Sequence, residues 1–309
     1  YRTYRPQTFE EVAGQKHIIR TLRNALVTNK IAHAYLFCGP RGTGKTTMAK
    51  LFAKALNCEE GVGHQCNKCS NCIEVTEGSH PDVIEIDAAS NNGVDQVRDL
   101  IDKVNYLPIK GKYKIYIIDE VHMMTTSAFN ALLKTLEEPP AHAIFLFATT
   151  EPHSIPPTIL SRCQRYDFRR ISTESIIGRL RHICTHENIK ATDDALKLIA
   201  SISDGAMRDA ISVLDQAASA AGPDGITDES IEEMTGTVNI AFLSEMAEIL
   251  IDGRFDELLS KASKCLKFGG RINLVHRSDR LCEIFCLMRK YKIEPKKIYN
   301  KKGSMEIEY

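Results

Sequence analysis

The chain has 309 residues, with 40 Lys plus Arg against 40 Asp plus Glu, so its formal net charge is zero. That balance excludes a whole-molecule field that draws in polyanions and leaves any nucleic-acid contact to a local patch. At 43% apolar and 26% charged residues the composition is that of a folded protein of two or three domains, not a disordered or fibrous chain.

The longest apolar runs, such as Ile115 to Ile118 and Ile144 to Phe147, are strand-sized and far below the ~20 residues of a membrane helix, so no membrane partner is expected. The opening Tyr1-Arg2-Thr3-Tyr4-Arg5-Pro6 has no Met and no apolar signal core, which suggests a processed or shortened cytoplasmic chain. Ten Cys are too sparse for a disulfide scaffold. Cys38, Cys163, Cys184, Cys265, Cys282 and Cys286 read as small core residues, while the other four cluster.

In chain order, Gln15 to Lys30 has a helical apolar repeat and Ala34 to Cys38 reads as a buried strand. A Gly-rich turn leads into a helix from Thr43 to Asn57, and a Cys, Gly, Asn and Lys-rich stretch then breaks the pattern up to Ile73. Strands at 83–86, 115–118 and 144–147 alternate with helices near 94–105 and 127–137, which predicts a parallel α/β sheet ending near Arg170. Helices then dominate: 173–187, 192–203 and 206–221, followed by 228–235 and 239–251 beyond the linker Ala221-Gly222-Pro223-Asp224-Gly225. The expected domains are 1–172, with a metal insert at 58–72, then 173–222 and 223–309.

Gly39-Pro40-Arg41-Gly42-Thr43-Gly44-Lys45-Thr46 satisfies G-x-x-x-x-G-K-[ST] between a strand and a helix, the context a phosphate-binding loop requires. Its glycines let backbone N–H groups wrap phosphate oxygens, Lys45 reaches the β/γ-phosphates and Thr46 ligates Mg²⁺. The bland alternative is a Gly-rich turn that only caps a helix, against which motif, strand and helix coincide. Asp119-Glu120 emerges at the end of a buried strand in a Walker B arrangement, with Asp119 in the Mg²⁺ shell and Glu120 as general base. An acidic pair after a strand is otherwise a solvated turn or helix cap.

Cys58, Cys66, Cys69 and Cys72 supply four soft ligands within fifteen residues, enough to close a tetrahedral structural zinc site. An iron–sulfur cluster fits the spacing too, but nothing else in the chain suggests redox work. His64 is a spare ligand and four unligated thiols the bland alternative.

Tyr4-Arg5-Pro6 with Phe9, Val12, Gly14 and Gln15, the loop Gly39 to Thr46, the four cysteines, Asp119 to Met123 and Ser161-Arg162-Cys163 together resemble the gamma/tau family of bacterial DNA polymerase III subunits, the AAA+ ATPases of the sliding-clamp loader. The resemblance runs to about residue 265, and the intact loop separates the chain from the related delta-prime subunit. It implies an α/β P-loop AAA+ domain, a parallel sheet flanked by helices with a four-cysteine zinc insert, followed by a helical lid domain and a helical collar. The collar is expected to be truncated here, since only 84 residues follow Gly225 and 271–280 departs from the pattern.

The same resemblance implies that Thr150 is sensor 1, that Arg162 is the arginine finger acting on a neighbour's ATP, that Arg208 is sensor 2, and that residues 4–13 lie near the adenine. On their own, Arg162 reads as a surface residue and Arg208 as a partner of Asp204 at helical spacing. Implied partners are the delta and delta-prime subunits, further copies of the chain, the sliding clamp and primed DNA gripped by its phosphate backbone, with polymerase activity belonging only to the holoenzyme. No Lys/Arg stripe interleaved with aromatics marks a base-reading surface. A zinc scaffold that binds nucleotide without turnover, and another AAA+ machine such as a helicase or junction motor, are the alternatives.

Overall fold

Apolar residues along the strands supply both faces of one sheet, as a sheet covered by helices on both sides demands. In the computed structural model, which describes residues 4–221 and 225–235 with 248–249, 252, 254, 298–299 and 305–306 beyond them, five parallel strands form this sheet: β1 (Ala34–Cys38), β2 (Val83–Asp87), β3 (Lys114–Asp119), β4 (Ala143–Thr149) and β5 (Gln164–Asp167). Their order is β2-β3-β4-β1-β5. Tyr35, Phe37, Ile115, Ile117, Ile144 and Leu146 pack under α1 (Lys16–Val27) and α2 (Lys45–Asn57). Leu36, Cys38, Tyr116, Ile118, Phe145 and Phe147 pack on the other side under α4 (Val94–Val104) and α5 (Thr126–Glu137). The parallel register aligns Cys38 with Thr149 and Asp87 with Asp119, so the C-terminal ends of the strands lie side by side.

Two elements escape the apolar pattern. Strand β5 has the sequence Gln-Arg-Tyr-Asp and is largely exposed, an edge strand made by its pairing with β1 rather than by its own hydrophobicity. Helix α3 (Ser70–Glu77) begins inside the cysteine-rich stretch, where Cys69 Sγ caps it by accepting the Cys72 N–H. The short helix α6 (Pro157–Leu160) opens on Pro157, as a proline at the first helical position favours.

Helices α7 (Thr173–His186), α8 (Asp193–Ile202) and α9 (Met207–Ala220) follow the sheet, the first two capped by the hydroxyls of Ser172 and Thr192. Ile176, Leu180, Ile183, Leu196, Ile199, Ala210 and Leu214 are among their buried residues. Residues 225–227 return to this bundle: Ile226 N–H donates to Lys190 O at 2.8 Å and Thr192 N–H to Ile226 O at 3.0 Å. Asp228 onward forms a separate compact unit. Within it α10 (Asp228–Thr235) buries Ile231, and Ile298–Tyr299 (β6) pairs antiparallel with Met305–Glu306 (β7). The expected helix over 239–251, apart from helical residues 248–249, and the collar with it lie outside the described residues. No helix among the described residues is long and apolar enough to cross a membrane.

Asp82, fully buried before β2, anchors the loop into β3. Its Oδ1 accepts the Ile109 N–H and its Oδ2 those of Lys110 and Gly111, all at 2.7 Å. Burial pushes its carboxyl up, but the three donors outweigh that and hold it below the usual carboxylate range. Asp82→Ala, which orphans three N–H groups, is expected to cost about 2–4 kcal/mol in urea unfolding at neutral pH. A depressed folded-state pKa stabilises above the unfolded value of about 3.9 and is lost as pH falls through the folded one, so the gap between wild type and variant narrows on acidification below that point. A gap independent of pH would contradict this role.

Candidate active site

The glycine-rich loop 39–46 leaves β1 at a point fixed on both sides. Cys38 O accepts the Phe168 N–H at 2.7 Å, and Gly39 N–H donates to Thr149 O at 3.2 Å. Gly39 has φ 143°, and a Cβ there would lie 2.5 Å from the carbonyl oxygen of Phe168. Gly42, at φ 76°, runs against Ala206 of the helical bundle, where a Cβ would come within 2.7 Å of the Ala206 Cβ. Only glycine accepts that backbone at such proximity. Gly44, also left-handed, caps α2, so the helix N-terminus and the loop amides face one space.

Thr43 Oγ1 donates to Pro40 O at 2.8 Å and tightens the loop. Lys45 is buried, its ammonium donating to Gly39 O at 2.9 Å and Pro40 O at 3.0 Å. Burial pulls its pKa down, and the carboxylates of Glu120 and Asp119 push back. Thr46 Oγ1 donates to Asp119 Oδ2 at 2.6 Å, tying the first turn of α2 to the end of β3.

Asp119 Oδ1 accepts the Glu120 N–H at 2.9 Å. Glu120 itself stands in the left-handed region, at φ 47° and ψ 43°, which turns its side chain back toward β4. There Glu120 Oε2 accepts from Thr150 Oγ1 at 3.3 Å and lies 3.6 Å from His122 Nδ1, which is in turn 3.2 Å from Thr149 Oγ1. His122, part of the motif that carries the resemblance but given no role there, joins the acid to the end of β4.

A cleft of about 150 Å³ is lined by Arg41 to Thr47, Asp119, Glu120, the N-terminal residues Tyr4, Arg5 and Pro6, and Arg208 at the start of α9. Asp204, whose spacing suggests Arg208 as its partner, is bound by Arg170. Arg179 carries no expectation from the sequence; it lines the cleft and donates to Tyr4 O at 3.1 Å, joining α7 to the N-terminal segment. Arg162 stands apart from the cleft, at the end of α6, with Nη2 on Glu137 Oε1 at 2.5 Å and Nη1 on Thr158 O at 2.6 Å.

The sulfurs of Cys58, Cys66, Cys69 and Cys72 lie within 4.8 Å of one another, His64 not among them. A tetrahedral shell with Zn–S of about 2.3 Å places sulfurs about 3.8 Å apart, so the four fit a zinc ion with little adjustment. The Cys69 N–H donates to Cys66 Sγ at 3.3 Å. With the Lys68 amide, that donor pulls the Cys66 thiol down to about 7, toward the ligating thiolate.

A family model described as DNA polymerase III, delta subunit matches residues 14–172, and one described as DNA polymerase III clamp loader subunit, ATPase lid domain matches 175–222. The chain is 54% identical over 270 residues to DNA polymerase III subunit tau of Bacillus subtilis (strain 168), covering 87% of this chain and 48% of that protein. It is 45% identical over 260 residues to DNA polymerase III subunit tau of Escherichia coli (strain K12), covering 84% and 40%. It thus spans about half or less of the length of these relatives. The Thermotoga maritima RuvB Holliday junction branch migration motor superposes with a TM-score of 0.57 over 98% of this chain and 95% of that one, at 14% identity, a likeness of fold alone. The sheet, the adjoining lid and the tau relatives agree: the chain belongs to the tau/gamma family of DNA polymerase III clamp-loader subunits.

Proposed function

We propose that the chain is the ATP-hydrolysing motor subunit of a bacterial DNA polymerase III clamp loader, in which ATP binding opens and loads the sliding clamp on primed DNA. The observation that carries this reading is the convergence of Lys45, the 2.6 Å Thr46–Asp119 pair and Glu120 on one cleft beside a glycine-lined helix N-terminus. Residues 1–172 act as the ATPase domain, 173–222 as the lid, and 223–309 as the start of a collar that holds the delta and delta-prime subunits and further copies of the chain together. The tau relatives and the lid model support these assignments.

In this reading the loop amides of 39–46 and Lys45 bind the phosphates. Thr46 and Asp119 present a hydroxyl and a carboxylate, the hard oxygens that Mg²⁺ prefers. Bound there, Mg²⁺ offsets charge on the β- and γ-phosphates. Glu120 takes a proton from the attacking water, and Thr150, hydrogen-bonded to it, holds the carboxylate in line. Arg208 reaches the same nucleotide from the lid. Arg162, on the exterior, serves a neighbour's site, so transition-state charge is stabilised only across an interface. The four cysteines hold a structural zinc ion with no open position for chemistry. A nucleotide-binding scaffold without turnover has less support, because it leaves the Thr150–Glu120 contact without a task.

ATP turnover per chain measured across protein concentration, with Glu120→Gln as background, tests the motor reading. Specific activity is expected to rise with concentration and again on adding primed DNA; flat activity at the Glu120→Gln level with intact binding would favour the scaffold. Lys45→Ala is expected to abolish ATP binding, whereas Arg162→Ala keeps binding and slows turnover on the order of 10²-fold. Normal turnover by Arg162→Ala would remove its role across the interface. Cys69→Ser is expected to lose the bound zinc, about one per chain by elemental analysis, and to lower the melting temperature.

A further inference from the structure

Lys54, about two and a half turns along α2 from the phosphate-binding loop, is only 2% exposed. Its ammonium donates at 2.8 Å to Gln7 Oε1 and to Asn67 Oδ1, and at 3.3 Å to Gln7 O. These acceptors are neutral oxygens, and a buried cation needs negative charge nearby. Asn67 stands next to Cys66 in the chain, and the negative groups whose charge offsets the burial of the ammonium are the sulfurs of Cys72, Cys66 and Cys58 and the carboxylate of Glu11. Four thiolates around a divalent ion carry net negative charge, so Lys54 is placed as the counter-ion of the metal insert.

The insert makes two further contacts to the N-terminal segment. Gln65, adjacent to Cys66, accepts the Phe9 N–H at 3.0 Å and donates to Leu51 O at 2.7 Å. Thr76 of α3 donates to Gln7 Oε1 at 3.1 Å. Gln7 passes the constraint on, its Nε2 donating to Arg5 O at 3.0 Å and its N–H to Glu11 Oε2 at 3.1 Å. Arg5, Pro6, Glu11 and Val12 line the cleft. Residues 5–13 contain no helix or strand, so these side-chain contacts, rather than a ladder or helix of their own, hold the wall in place.

We propose that the tetracysteine insert positions the N-terminal wall of the nucleotide cleft through Lys54, Asn67 and Gln65, so that metal occupancy sets the affinity for ATP. This rests on reading the cleft as the ATP site. Lys54 and Gln65 are positioning residues: they touch the wall, not the nucleotide. Their effect is coupling between metal and nucleotide, which is reciprocal, so ATP also tightens retention of the metal.

The experiment titrates Mg-ATP into the whole chain before and after zinc removal by chelator, with Lys54→Met, Gln65→Ala and Lys45→Ala alongside. Zinc removal is expected to weaken ATP binding about tenfold and to speed amide exchange in residues 5–13. Lys54→Met, still loaded with zinc, is expected to lose a similar factor and then to lose less than about twofold more on chelation, because its link to the metal is already cut. An unchanged ATP affinity in both the stripped protein and Lys54→Met, or losses that simply multiply, would overturn the proposal. Should the stripped protein unfold, zinc-loaded Gln65→Ala decides: weaker ATP binding with faster exchange at 5–9 supports the inference, and wild-type values for both refute it. Wild-type affinity in Lys45→Ala would instead remove the ATP reading of the cleft itself.

Discussion

The backbone at the end of β1 is held from two directions at once, by Phe168 N–H on Cys38 O and by Thr149 O on Gly39 N–H. Everything chemical in the molecule is measured from that point. Because β1 is paired on both edges and buried on both faces, the glycine loop starts from a position that cannot drift, and α2 carries Lys45 and Thr46 away from it at a set distance from the ends of β3 and β4. The close approach of Phe168 to Gly39 and of Ala206 to Gly42 makes the loop a junction of strand, edge and lid. A motif often treated as local is therefore defined here by contacts from residues more than a hundred positions away.

Helix α2 buries a lysine near each end, and the two are accommodated differently. Lys45 faces two carboxylates and donates hydrogen bonds to loop carbonyls, so its charge is directed at the cleft. Lys54 is held by the amide oxygens of Gln7 and Asn67, the latter next to Cys66 in the chain. One helix thus spans the distance between the glycine loop and the cysteine cluster, the two places that the proposed coupling connects.

The loop at 39–46 and the acidic pair at 119–120 were legible in the sequence because contiguous residues, flanked by an apolar strand and an amphipathic helix, carry the whole pattern. The four cysteines were legible from their spacing within fifteen residues, and their sulfurs do come together. Strand β5 was not, because its Gln164-Arg165-Tyr166-Asp167 exists as a strand only through pairing with β1. Nor were His122, Arg179 and Lys54. Each is an ordinary member of its local pattern, and its importance comes from partners distant in sequence: Tyr4 for Arg179, Gln7 for Lys54. Arg162 shows the complementary limit, since a residue assigned to a neighbour's site sits on the exterior, paired with Glu137, with nothing in its own subunit to mark that task.

Glu120 occupies left-handed backbone that glycine or asparagine would adopt with less strain. Replacing it by glycine would relax the turn and at the same time delete the carboxylate that Thr150 and His122 surround. At this one residue the backbone favours one side chain and the proposed chemistry requires another, so in this reading the turn keeps its strain for the sake of the carboxylate.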